Sequence, residues 1–321
     1  MRCPTLADLP PPPSGRTGWP WTAESSILLA ATVGGAAWPQ ITIVTPSFNQ
    51  SAFIEATIRS VLLQGYPNLE YIIIDGGSTD GSVEIIRRYE PWLTYWVSEP
   101  DRGQYDALNK GFAKATGQVL AWLNSDDMYV LNSLSYVGEI FATFAGKVKW
   151  LTGVPALWNE QGLLCAVERP PSYRRELIRL GLHDGRGLGW IQQESSFWSC
   201  DLWLAAGGQV DASLDLAADF DLWRRFANYA DLYTITVLLG GFRVHYQQKT
   251  ALHFQQHYDE IDRTLARSQA LYRFNRLVKT KWGLHAVRWW LRLNRATPKV
   301  ISYNTRRRQW EIGQWVQAIQ P

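Results

Sequence analysis

The sequence predicts an α/β fold, with a mainly parallel sheet flanked by helices. Three observations carry that prediction. Short apolar, β-branched runs alternate with stretches of helical spacing from Pro39 to about residue 130. The runs are apolar at successive positions, as strands covered on both faces must be. Each is followed by a cluster of Asp, Asn, Ser and Gly, at the carboxyl ends where open α/β sheets bind ligands.

The elements follow in order. Residues 1–38 are rich in Pro and Gly and read as a tail, with one short helix near Glu24 to Ala31. Ile41 to Val44 is the first strand, and Pro46, Ser47 and Asn49 form the loop after it. Ser51 to Gln64 carries Phe53, Ile54, Ile58, Val61 and Leu62 at helical spacing and stops at Gly65-Tyr-Pro67. Tyr71 to Ile74 is a second strand ending in Asp75. Gly76 to Gly81 is a tight loop, and Ser82 to Tyr89 a helix capped by Asp80 or Ser82. Leu93 to Val97, the turn Arg102-Gly103, the helix Gln104 to Ala115 and the strand Val119 to Leu123 complete a β-α-β-α-β-α-β series. Beyond Trp150 the pattern loosens. Asp219 to Tyr229 reads as a helix, Leu232 to Leu239 as a strand and Leu252 to Arg276 as one long helix, with a basic, Trp-rich tail from Lys279. The expected organisation is a tail (1–38), a ligand-binding half (39–130), a second half (131–250) and a helical C-terminal extension (251–321).

Composition narrows the class. The 321 residues are 46% hydrophobic and 19% charged, so the chain folds. A net charge of +3 does not indicate a nucleic-acid partner. Cys3, Cys165 and Cys200 show neither disulfide nor metal spacing, which suits a reducing cytoplasm. No run is long and apolar enough to span a bilayer, and the N-terminus lacks the order of a signal peptide.

The chemistry is concentrated in carboxylates. Asp126 and Asp127 follow a buried strand. Adjacent carboxylates repel unless a cation or a solvated surface relieves them, and oxygen ligands suit Mg²⁺ or Mn²⁺, which can also bridge a diphosphate. A capping turn is the plainer reading of that pair alone. Asp75 ends its strand before two glycines, where it can serve a nucleobase edge, a ribose or merely the turn. Gly76 to Gly81 is neither a P-loop nor a dinucleotide fingerprint.

Five segments together resemble family 2 glycosyltransferases of GT-A fold: Ile41-Thr-Ile-Val-Thr-Pro-Ser-Phe-Asn49, Ile74-Asp-Gly-Gly-Ser-Thr-Asp-Gly81, Glu99-Pro-Asp-Arg-Gly-Gln104, Ala107-Leu-Asn-Lys-Gly111 and Trp122-Leu-Asn-Ser-Asp-Asp127. The resemblance is dense over 39–130 and thinner to about 250. It implies that Thr45, Pro46, Ser47, Asn49 and Ser78 line the nucleotide and that Asp75 binds the base. Arg102, Gly103, Asn109 and Lys110 would lie near base and phosphates. Asp126 would serve ribose or metal, Asp127 the metal, and His245 would complete the shell of Mn²⁺ or Mg²⁺. Members often carry Asp where this chain has Asn124. Ala218-Asp-Phe-Asp-Leu222 resembles the segment that holds the general base, matched by Asp219, although Ala218 replaces the family's Glu. Helix capping is the bland alternative for Asp219 and Asp221. Gln193 and Glu194, with Asp221, would border the acceptor and donor sugar.

The expectation is therefore an inverting, metal-dependent glycosyltransferase. It would move a hexosyl group from a nucleotide sugar to a hydroxyl of a glycan or lipid-linked acceptor in polysaccharide biosynthesis. One base without a second nucleophilic carboxylate predicts inversion. A sugar nucleotidyltransferase would need a basic Gly-rich loop after the first strand, which Thr45 to Gln50 does not supply. A non-catalytic glycan-binding module would not need Asp75, Asp126, Asp127 and Asp219 together. Trp282, Trp289 and Trp290 with Arg288 and Arg292 read first as a helix packed on the domain, and second as a peripheral contact with the inner membrane face.

Overall fold

The computed structural model describes residues 3–29, 31–171, 173–246, 248–293 and 299–313. The first half follows the sequence pattern closely: β1 (Ile41–Ser47), α1 (Ile54–Leu62), β2 (Leu69–Asp75), α2 (Ser82–Tyr89), β3 (Tyr95–Ser98), α3 (Gln104–Phe112) and β4 (Val119–Trp122). All residues of β1, β2 and β4 are buried, because helices cover both faces. Ile41, Ile43, Tyr71 and Ile73 enter one core, while Val44, Ile72, Ile74 and Trp122 enter the other. Gly111 lets α3 lie directly on β1, since a Cβ there would meet Val44 at 2.4 Å.

The second half contributes β5 (Met128–Tyr129), α4 (Ser133–Thr143), β6 (Trp150–Thr152), β7 (Ala156–Trp158), β8 (Leu164–Val167), α5 (Arg175–Arg179), β9 (Ser196–Ser199), α6 (Cys200–Ala205), α7 (Ala218–Phe226), β10 (Tyr233–Ile235) and β11 (Gly240–Arg243). The strand expected over Leu232 to Leu239 is shorter, Tyr233–Ile235, and a second strand follows from Gly240. β10 joins the main sheet, and β11 leaves it for a small sheet ordered β5-β11-β7-β8.

The C-terminal part departs most from expectation. Its helices are α8 (Lys249–Leu252), α9 (Phe254–Ala266), α10 (Gln269–Val278) and α11 (Lys281–Leu293), in place of one long helix. It is also not wholly helical: β12 (Lys299–Asn304) and β13 (Gln309–Gly313) form a hairpin that extends the main sheet. That sheet runs β13-β12-β10-β6-β9-β4-β1-β2-β3, parallel except where β9 meets β4 and β6 and where β13 meets β12. This is the α/β fold with a mainly parallel sheet that the sequence predicts.

The N-terminal segment is packed against the domain and has no helix at Glu24 to Leu29. Cys3, Leu9 and Trp21 are buried. The fully buried Arg59 of α1 donates to the carbonyls of Pro10, Pro20 and Trp21, so one guanidinium holds the strap down.

Candidate active site

Parallel registry of β1 with β2 and β4 brings their carboxyl ends together. Ser47 stands opposite Asp75, and Val44 opposite Trp122 just before the Asn124 to Asp127 turn. The loops after β1 and β2 are laced to each other. Asn49 adopts a left-handed conformation (φ 51°), its N–H donates to Ser78 Oγ at 2.7 Å, and its Oδ1 accepts from Thr79 N–H at 2.9 Å.

Asp75 is fully buried and accepts from the N–H groups of Gly77 and Ser78 and the hydroxyls of Ser78 and Ser98, which shapes the loop after β2. Thr45 points into the core, paired with the Tyr71 hydroxyl at 3.1 Å. Asn109 spends both ends of its amide on the backbone of Val210. Arg102 pairs with Asp106 and Lys110 with Glu99 at the surface. Gly103 opens α3 with its N–H on Asp101. Pro46 and Ser47 are buried at the end of β1, and Ser47 Oγ has no hydrogen-bond partner among the described residues.

The acidic turn splits its two carboxylates between roles. Thr57 of α1 pins the turn by donating to the carbonyls of Ser125 and Asp127. Asp127 is buried, accepting from Arg243 N–H at 2.8 Å and from the Asn124 amide at 3.1 Å, and Asn124 in turn accepts from Gln104. Both carboxylate oxygens of Asp127 thus accept hydrogen bonds from within the protein. Asp126 reaches the cleft, and its Oδ2 lies 3.0 Å from His245 Nε2. Two ligands at ~2.1 Å and right angles on Mg²⁺ or Mn²⁺ lie ~3.0 Å apart, so this pair fits one ion. No third His, Cys, Asp or Glu joins them among the described residues, which leaves the remaining positions to donor oxygens or water. Phe53 packs against the His245 ring at 4.5 Å and fixes its plane.

Gln193 and Glu194 lie in a short 3-10 turn before β9, where Gln193 donates to the Trp122 carbonyl at 2.7 Å. Glu194 is buried, and its Oε1 has no hydrogen-bond partner among the described residues. Burial pushes its carboxyl up to about 8, helped by the negative charges of Asp219 and Asp126. Burial likewise raises Asp127 well above the carboxylate range, with Asp126 and Glu194 adding to it. Asp219, half-buried at the start of α7, is raised by burial against the opposing pull of His257. These mutual effects place Asp219, Glu194, Asp126 and Asp127 in one electrostatic cluster. Asp221 is not in it. Two residues along α7 it points the other way and pairs with Arg225 at 2.8 Å.

Three residues contribute without a role that the sequence assigned them. Arg243 is buried beside the acidic pair, with its guanidinium 5.0 Å from the Phe53 ring. Glu260 of α9 accepts from the N–H groups of Asp215, Leu216 and Ala217 and so fixes the turn that leads into α7, whose N-cap, Ala217, makes no side-chain cap hydrogen bond. His257 Nδ1 meets the Leu216 carbonyl at 3.1 Å. The available signal was a carboxylate on the apolar stripe of a helix, with Glu260 beside Ile261 and Leu265.

The Glycosyl transferase family 2 profile matches residues 42–139. An uncharacterized glycosyltransferase of Mycobacterium tuberculosis (strain H37Rv) is 32% identical over 211 residues, 64% of this chain and 75% of the relative. The putative teichuronic acid biosynthesis glycosyltransferase TuaG of Bacillus subtilis is 37% identical over 99 residues, 30% of this chain and 39% of its own. Among solved structures, mannosyltransferase PcManGT from Pyrobaculum calidifontis in complex with GDP-Man and Mn²⁺ aligns with TM-score 0.53 at 18% identity, covering 90% of this chain and 78% of that one. S. aureus TarS 1–349 in complex with UDP-GlcNAc aligns with TM-score 0.54 at 14% identity, covering 70% of this chain and 66% of that one. The chain spans 38% of the longer S. aureus TarS chain.

Proposed function

This chain belongs to glycosyl transferase family 2 and is a nucleotide-sugar-dependent glycosyltransferase, and from that premise we propose that it inverts the transferred hexosyl centre, with Asp219 as the base. The acceptor is a hydroxyl of a glycan or lipid-linked precursor, on the cytoplasmic side. The observation that carries the reading is the position of Asp219. It is half-buried at the start of α7, within the field of Glu194, which also feels Asp126.

Each residue then has a physical task. Asp126 and His245 would hold Mg²⁺ or Mn²⁺, which supplies positive charge for the departing nucleoside diphosphate. The laced loops after β1 and β2 place Asn49 and Ser78, beside the buried end of β1 at Ser47, at the edge where the nucleotide would lie. Burial raises the proton affinity of the Asp219 carboxylate, and so strengthens it as acceptor of the hydroxyl proton. Arg243 offsets part of the acidic charge beside Asp126 and Asp127.

Asp219→Asn tests the assignment, because it keeps the shape and removes the base. Turnover should fall about 10²–10⁴-fold with nucleotide affinity unchanged. Persistent turnover would move the role to Glu194, and loss of nucleotide binding would make the segment structural. The anomeric configuration of the first-formed product, read by proton NMR, tests inversion. Failure of every nucleotide sugar to be consumed would favour a non-catalytic binding module.

A further inference from the structure

Charge is unevenly distributed along this chain. From Arg263 to Trp310 there are thirteen Lys and Arg and no Asp or Glu, although the whole chain carries only +3. Within that segment Arg263, Arg267, Lys279 and Lys299 are spent on Glu260, Asp211, Asp184 and Asp231. Arg273 and Arg276 on α10 are exposed and meet no carboxylate among the described residues.

The same surface exposes large apolar groups. On α10, Phe274 is 44% and Leu277 68% exposed, and on α11, Trp282 is 83% and Trp289 65% exposed. Trp282 and Trp289 are seven residues apart and share one stripe of α11. The opposite sides of both helices are anchored. Asn275 donates to the carbonyls of Leu180 and Gly181, and Val278 packs with Leu177, Leu182 and Val287. The helices also meet closely, since a Cβ at Gly283 would lie 2.5 Å from the Leu277 carbonyl oxygen. Leu277 and Trp282 therefore sit at one corner, with the arginines beside them.

We propose that this face of α10 and α11 docks on an anionic lipid surface, with Phe274, Leu277, Trp282 and Trp289 entering the headgroup boundary and Arg273 and Arg276 meeting lipid phosphates. Tryptophan and arginine around an exposed apolar stripe suit a helix lying in the interface plane. No described helix is long and apolar enough to cross a membrane, so the contact is peripheral. A polyanion such as nucleic acid would match the charge but would leave the apolar stripe in water. The inference goes beyond the transfer chemistry and stands without it.

The test is co-sedimentation of the full chain with phosphatidylcholine vesicles, with and without phosphatidylglycerol. Binding should require the anionic lipid and weaken with salt. The double variant R273Q/R276Q should bind about 25-fold more weakly, at roughly fivefold per cation. The double variant W282A/W289A should lose at least about tenfold, because affinity scales with the apolar area buried. Both variants should melt like the wild type, since these side chains are exposed. The inference is overturned by absence of binding to anionic vesicles, by binding indifferent to the tryptophans, by tighter binding of a duplex oligonucleotide that competes vesicles away, or by a dimer that the tryptophan variants dissolve and vesicles do not.

Discussion

Glu194 shows how single residues set the character of the cleft. Its folded carboxyl holds a proton up to about pH 8, whereas the unfolded chain loses it near its ordinary value of 4.5. Between those values the folded state binds more protons, so stability falls as pH rises through that window. Asp127 and Asp219, also raised, act in the same direction. Glu194→Gln removes the titration, and in EDTA its stability advantage over wild type should grow from pH 5 to pH 8 by on the order of 3 kcal/mol. Urea unfolding at the two pH values checks this, and a constant difference would mean that the group ionises freely. The acidic pair gives a second contrast. Asp126→Ala and His245→Ala should abolish the gain in donor affinity on adding Mn²⁺, and Asp126→Ala should leave the melting temperature of the metal-free protein nearly unchanged, because Asp126 is partly exposed. Asp127→Ala should instead lower stability by about 1–3 kcal/mol, because it strands the Arg243 N–H and the Asn124 amide. Thermal melts with and without Mn²⁺ separate the two patterns.

At the scale of elements, α7 depends on α9. The N-cap Ala217 makes no side-chain cap hydrogen bond, and Glu260 reaches across to accept from Asp215, Leu216 and Ala217 in the turn that leads into the helix. A negative charge at that end also suits the helix dipole. Glu260→Ala should cost on the order of 2–3 kcal/mol, and it should lower turnover more than nucleotide affinity because only the Asp219 side of the cleft is loosened. Glu260→Gln, which keeps an acceptor oxygen, should recover part of both. Turnover and nucleotide titration on the two variants decide the matter, and equal loss of both quantities would mean that the whole cleft had collapsed.

Across the whole molecule, the sheet is completed from distant parts of the chain. β12 lies against β10, and Ile301 is fully buried in the core shared with β1 and β2. Ile301→Ala should lower stability by about 2–5 kcal/mol through the cavity it leaves, although it lies far in sequence from the family match. Calorimetry checks this, and a neutral effect would mean that the hairpin is not part of the cooperative unit. The many tryptophans belong largely to the same economy of packing: Trp122, Trp150, Trp198 and Trp223 pack against one another under the sheet, with Phe226 among them.

The sequence by itself determined the β1 to β4 series, because buried parallel strands and amphipathic helices leave a local periodic signature. It also located the polar turns at the strand ends and the Arg243 to His245 cluster. It did not determine which carboxylates face the cleft. Asp126 and Asp127 are neighbours, yet one turns to His245 and the other inward to the β11 backbone. Asp219 and Asp221 look interchangeable, but two residues on a helix are about 200° apart, so they face different surroundings. Asp75 and Asn109 show the same limit, since their partners at Ser98 and Val210 come from other elements. The short strands β5 to β11, the break between β10 and β11 and the β12–β13 hairpin were decided by tertiary pairing. Segments of two to six residues carry too little periodicity to declare themselves, and their stability comes from neighbours distant in sequence.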